Sequence, residues 1–124
     1  MIVNYSDFKL YKEIVNHKGH LDIKIVSDSM LPLIQVNEKL RITNLAKEPK
    51  RFEILVYWSV TEEKLICHFL WQTHEDGDHY FFKSLKNPKE TDAPVESQYI
   101  LGVLSSRKIS FFCKLKIYLI NLFS

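Results

Sequence analysis

A small, mainly antiparallel β domain led by one helix is the fold class that this sequence predicts, and three observations predict it. Six short runs rich in Ile, Val, Tyr, Phe and Trp recur between residues 20 and 104, and these residue types favour strands. Turn chemistry separates several of them, with Pro49 in 46–51, the Asp76-Gly77 pair, and Pro88 and Pro94 in 87–94. Ahead of the strand-like runs, helical spacing of apolar residues is clearest over 6–18. A chain of 124 residues has room for one core. The reading is therefore a single domain over 1–124, with an N-terminal helix (1–19), a β core (20–104) and an apolar tail (105–124).

In the helix, Ser6 is the expected N-cap, Leu10, Tyr11, Ile14 and Val15 form the apolar face, and Lys18-Gly19 supplies the stop. The strand-like runs cover 21–26, 39–43, 54–58, 64–71, 79–85 and 99–104, the fourth and fifth forming a hairpin around Asp76-Gly77. The tail, ISFFCKLKIYLINLFS, is apolar but interrupted by Lys114, Lys116 and Asn121. Crossing a bilayer takes roughly 20 apolar residues, so this segment is too short to span. Two roles stay open for it. It packs on the core or a partner chain as a helix or strand, or residues 107–124 lie against a membrane behind Arg107 and Lys108.

Composition removes several function classes. With 17 basic and 15 acidic residues the net charge is +2, which predicts no nucleic-acid partner. Cys67 and Cys113 are far apart and lack zinc-knuckle or redox spacing, so a reducing compartment is expected. The amino terminus has no signal-peptide core. The expected location is the cytoplasm or the periphery of a membrane. The cluster His74, Glu75, Asp76, Asp78 and His79 has metal-ligand chemistry, but it falls on a hairpin tip and reads as a solvated turn. No metal or cofactor is expected.

The segment Val26-Ser27-Asp28-Ser29-Met30-Leu31-Pro32-Leu33 is the most informative. A strand runs into two hydroxyls and is halted by Pro32, which biases Leu31 toward an extended conformation. Ser27 and Ser29 share a face if the chain is extended. Local chemistry alone leaves these serines as turn formers or as a nucleophile with a donor for an oxyanion. A serine hydroxyl needs a neighbouring base to become a nucleophile.

The pattern Ser27-x-Ser29-Met30-x-Pro32 resembles the nucleophile box of the signal peptidase I/LexA superfamily of serine peptidases. The resemblance implies Ser29 as nucleophile, Ser27 with the Ser29 amide as oxyanion donors, and Met30 and Pro32 beside the substrate. It is closest to the archaeal and endoplasmic-reticulum signal peptidases, which use histidine as base. The strand Leu65-Ile66-Cys67-His68-Phe69-Leu70 resembles their histidine strand and places His68 39 positions after Ser29. Imidazole serves as a base near neutrality with less burial than lysine needs. Lys64 sits at the polar edge of that strand and is not the expected base. Cys67 should point away from His68, because adjacent strand residues face opposite ways. Thr91-Asp92-Ala93-Pro94-Val95 resembles the stretch holding the orienting carboxylate, which implies Asp92, although an exposed turn residue fits the same sequence.

The resemblance covers roughly residues 20–104 and closes on Ile100-Leu101-Gly102-Val103. Two Gly-Asp turns of the family are replaced by Asn37-Glu38 and Phe52-Glu53, Phe69 follows the histidine in place of arginine, and Leu85 stands where an aspartate is usual. The implied activity is an endopeptidase with a peptide or protein substrate, cleaving a leader or signal-like segment. A non-catalytic binding relative and a self-cleaving regulator of LexA type are the other readings. For the regulator, the stretch before the strands is short, and no Ala-Gly or Cys-Gly cleavage pair is present.

Overall fold

The computed structural model describes residues 2–123. Helix α1 (Tyr5–Lys18) precedes strands β1 (His20–Lys24), β2 (Lys39–Thr43), β3 (Ile54–Ser59), β4 (Lys64–Thr73), β5 (His79–Lys83), β6 (Val95–Glu96) and β7 (Ile100–Val103), and helix α2 (Phe111–Leu122) follows. The strands form one sheet in the order β1-β2-β7-β3-β4-β5-β6, with antiparallel pairing throughout. The mainly antiparallel β class with a leading helix is as the sequence predicts.

Local differences have physical causes. The N-cap of α1 is Asn4, not Ser6, because the Asn4 carboxamide oxygen accepts the Asp7 amide at 2.9 Å. Phe8, Tyr11 and Val15 form the inward face of α1, while Leu10 is exposed. Phe8 stacks on Trp58 at 5.6 Å, and the Trp58 indole donates to the Val3 carbonyl at 2.7 Å. β1 stops at Lys24, so residues 25–28 lead to Ser29 without strand structure. The two-residue β6 was not expected from sequence, being too short to carry a pattern.

β3 is the middle strand of the sheet, and period-two alternation divides its side chains between two core clusters. Ile54, Val56 and Trp58 join the larger core cluster, which also takes in Phe8 and Val15 of α1 and Ile117 of α2. Leu55 and Tyr57 face the other way, into a smaller cluster with Leu70, Tyr80 and Phe82. Gly102 of β7 is required by a close approach, since a Cβ there would lie 2.6 Å from the Thr43 carbonyl oxygen of β2. Asn37 and Phe52 have φ of 62° and 74°, the region that suits glycine. These are the two positions that the sequence resemblance sets against Gly-Asp turns. Asparagine tolerates this conformation, and Phe52 is held in it by burial against Phe69, Trp71 and Tyr118. In both turns the following glutamate accepts a backbone amide three residues earlier, Glu38 from Gln35 at 3.0 Å and Glu53 from Lys50 at 2.6 Å.

The tail forms α2, capped by the Ser110 hydroxyl, which accepts the Cys113 amide at 3.2 Å. Among the described residues, no helix is long and apolar enough to cross a membrane.

Candidate active site

Three segments converge on His68. The first is the serine turn after β1. Ile25, Met30 and Ile34 are buried in the core and pin the turn from below, leaving Ser27 and Ser29 at the rim of a groove. The Ile34 amide donates to the Met30 carbonyl at 3.0 Å, and the Leu31–Pro32 peptide is cis. The second is β4, whose alternation buries Cys67 in the core and turns His68 toward the groove. The third is the loop 84–94 after β5, which returns so that the Asp92 amide donates to the Phe82 carbonyl at 2.8 Å. Loop and serine turn are stitched together, since the Lys86 amide donates to the Ser29 carbonyl at 3.0 Å and the Lys86 ammonium to Asp28 at 2.8 Å. That ammonium holds the Asp28 carboxyl below its usual range.

At the junction a hydrogen-bond chain runs Ser29 Oγ to His68 Nε2 at 3.0 Å and His68 Nδ1 to Asp92 Oδ2 at 2.5 Å. With Asp92 ionised, Nδ1 carries the proton, so Nε2 presents its lone pair to the Ser29 hydroxyl. The imidazole is only 12% exposed and the carboxylate 30%. Of the two descriptions open for Asp92, the one beside His68 is the placement found.

Ser27 sits where the serine motif places it, but its present bond qualifies the expected oxyanion pair. The Ser29 amide donates to Ser27 Oγ at 3.1 Å, so the Ser27 hydroxyl proton is the donor left to turn into the groove. Met30 and Pro32, expected beside the substrate, lie elsewhere. Met30 is 3% exposed within the core, and Pro32 is exposed outside the groove lining, its carbonyl accepting from Gln35 at 3.0 Å. Lys64 is solvated and pairs with Glu62 at 3.5 Å. Burial pushes the Cys67 thiol up to about 12, which leaves it a neutral packing group.

Two neighbours escaped the sequence reading. The Tyr57 hydroxyl donates to Asp92 Oδ2 at 2.8 Å, the same oxygen that faces His68. Tyr57 stacks on Phe82 at 4.7 Å, and burial, with the Asp92 charge second, raises its pKa so that it stays a donor. A signal existed in the register. Leu55 pairs with His68, so the residue two along β3 faces the same side. Lys83 is 2% exposed, with its ammonium donating to the Lys89 carbonyl at 3.1 Å and lying 5.2 Å from the Trp71 ring. Burial lowers its pKa and the Asp92 charge opposes that shift. It braces the loop that carries Asp92.

The groove has a volume of about 790 Å³. One wall is β1 and the chain after it, Leu21 to Ser27. The other is the first half of β4, including Leu65, Ile66 and His68. Among the described residues, β1 pairs only with β2, and β4 pairs with β5 only from Phe69 onward. Both walls therefore present strand edges to the groove. Among the described residues no group of His, Cys, Asp and Glu is arranged to hold a metal ion. The sequence matches no family model and no curated protein, and the chain matches no solved structure.

Proposed function

We propose that this protein is a serine endopeptidase in which Ser29 is the nucleophile, His68 the base and Asp92 the group that orients His68. The observation that carries the reading is the continuous Ser29–His68–Asp92 hydrogen-bond chain opening on a groove between two strand edges. Ser29 Oγ attacks the peptide carbonyl as His68 Nε2 takes its proton. The oxyanion that forms is met by the Ser27 hydroxyl, and by the Ser29 amide once that amide exchanges its bond to Ser27. His68 then gives its proton to the leaving amine, and a water attacks the acyl group by the same route in reverse. Asp92 fixes the tautomer and stabilises the imidazolium, and Tyr57 holds Asp92 in place.

The substrate on this reading is an extended segment of a peptide or protein, taken up by strand addition between β1 and the front half of β4. The resemblance to signal peptidases adds small side chains beside the scissile bond and a leader or signal-like peptide as substrate. The positive-φ residues Asn37 and Phe52, standing where that family carries glycine, support the same kinship. The free cysteines Cys67 and Cys113 suit the cytoplasm or the periphery of a membrane as its location.

The test is a library of unstructured peptides followed by mass spectrometry. Wild-type protein cuts at a restricted set of bonds flanked by small residues, and Ser29→Ala, with unchanged circular dichroism, cuts none of them. Retained turnover in Ser29→Ala refutes the assignment.

A further inference from the structure

The outer face of α2 is unlike the rest of the surface. Ile117 is its buried anchor, and the opposite side carries Phe111, Phe112, Leu115, Leu119, Leu122 and Phe123. At 100° per residue these six fall within about a third of a turn, so they make one stripe and not a scatter. Phe111, Phe112, Leu122 and Phe123 are each between 72% and 81% exposed. Apolar side chains this open and this contiguous mark a surface that is covered by something.

Charge says by what. Residues 107–124 contain Arg107, Lys108, Lys114 and Lys116 and no acidic residue. Arg107 is paired with Glu38, and Lys114 lies 5.6 Å from the Phe52 ring, but Lys108 and Lys116 are exposed beside the stripe. Two copies of this chain meeting through the stripe would bring lysines together with no carboxylate of the segment to oppose them. A surface that is apolar beneath and negative above fits both features. Phenylalanine and leucine enter the acyl boundary while the lysine heads reach phosphate.

We propose that α2 docks flat on an anionic lipid bilayer, with the Phe111–Phe123 stripe in the interface and Lys108 and Lys116 at the headgroups. Docking does not depend on Ser29 being a nucleophile. The two sites are nevertheless joined, because Asn121 in the last turn of α2 donates to the Pro88 carbonyl at 3.1 Å, in the loop that leads to Asp92.

Co-sedimentation of the full chain with phosphatidylcholine vesicles, with and without phosphatidylglycerol, tests this. The protein pellets with the anionic vesicles, less with phosphatidylcholine alone, and less at high salt. Phe112→Ser/Phe123→Ser reduces the bound fraction at least tenfold with unchanged circular dichroism. Lys108→Glu/Lys116→Glu, which leaves the stripe intact, loses the preference for anionic lipid. The proposal is overturned if wild type stays in the supernatant, or if it pellets equally with both vesicles. It is also overturned if wild type is a dimer or binds a protein partner through this face and Phe112→Ser/Phe123→Ser abolishes that contact, with no vesicle binding.

Discussion

Among the described residues histidine comes within 4 Å of aspartate at two places, and the two meetings differ in almost everything but the residue types. At the tip of the β4–β5 hairpin, His74 and His79 lie 3.2 and 3.0 Å from Asp76, with His74 and Asp76 exposed and His79 half-buried. In the groove, His68 lies 2.5 Å from Asp92 with the imidazole nearly covered. At the tip, water competes with each contact, and such pairs are worth little. In the groove, Tyr57 holds the carboxylate, strand β4 fixes the ring, and the free ring nitrogen points at a hydroxyl. What separates the groove pair from the tip pair is burial, a third partner and a side open to the groove, the three features on which the proposed catalytic role rests.

Variants at the two places should separate them, and the largest effect is expected at the groove. His68→Ala removes the base, so peptide cleavage should fall roughly 10³-fold or more, as when either member of a nucleophile–base pair is lost. Asp92→Asn keeps the shape but loosens the tautomer, and kcat should drop by roughly 10²–10⁴-fold with KM little changed. Equal activity in Asp92→Asn would reduce that contact to the rank of the hairpin pair. Tyr57→Phe takes away one hydrogen bond of about 1 kcal/mol, which corresponds to at most roughly a tenfold fall in kcat.

At the tip, His74→Ala and His79→Ala should leave cleavage unchanged; a loss of activity there would break the contrast. Only acid stability should respond. Asp76 is depressed to about 2, chiefly by the Asp78 amide and secondarily by His79. Its small contribution is present above the ordinary value of 3.8 and lost as pH falls toward about 2. Thermal melts of Asp76→Asn and wild type should therefore converge across that interval.

What could be read in advance follows the same division. Ser29 and His68 were legible because each sits in a short local pattern, and Cys67 could be turned away from His68 by strand alternation alone. Asp92 was half legible, as its partner depends on how the loop 84–94 returns. Tyr57 and Lys83 fall inside the strand-like runs 54–58 and 79–85. Their roles come from cross-strand register and from burial of an ammonium beneath that loop, neither of which is a local property. The resemblance of the serine box implies Met30 and Pro32 beside the substrate. The fold instead uses Met30 as an anchor that lifts Ser29 into the groove. The hairpin tip shows the converse, since reactive residue types are dense there yet stand open to solvent.

The proposed chemistry depends throughout on activation of the Ser29 hydroxyl by His68. Exposure of the folded protein to a small activated acetyl ester, followed by intact-mass and peptide mapping, reads this directly. Wild type should carry a single acetyl group on Ser29, Ser29→Ala none at that position, and His68→Ala should label far more slowly. An unlabelled Ser29 in wild type, or equal labelling with and without the imidazole, would refute that activation.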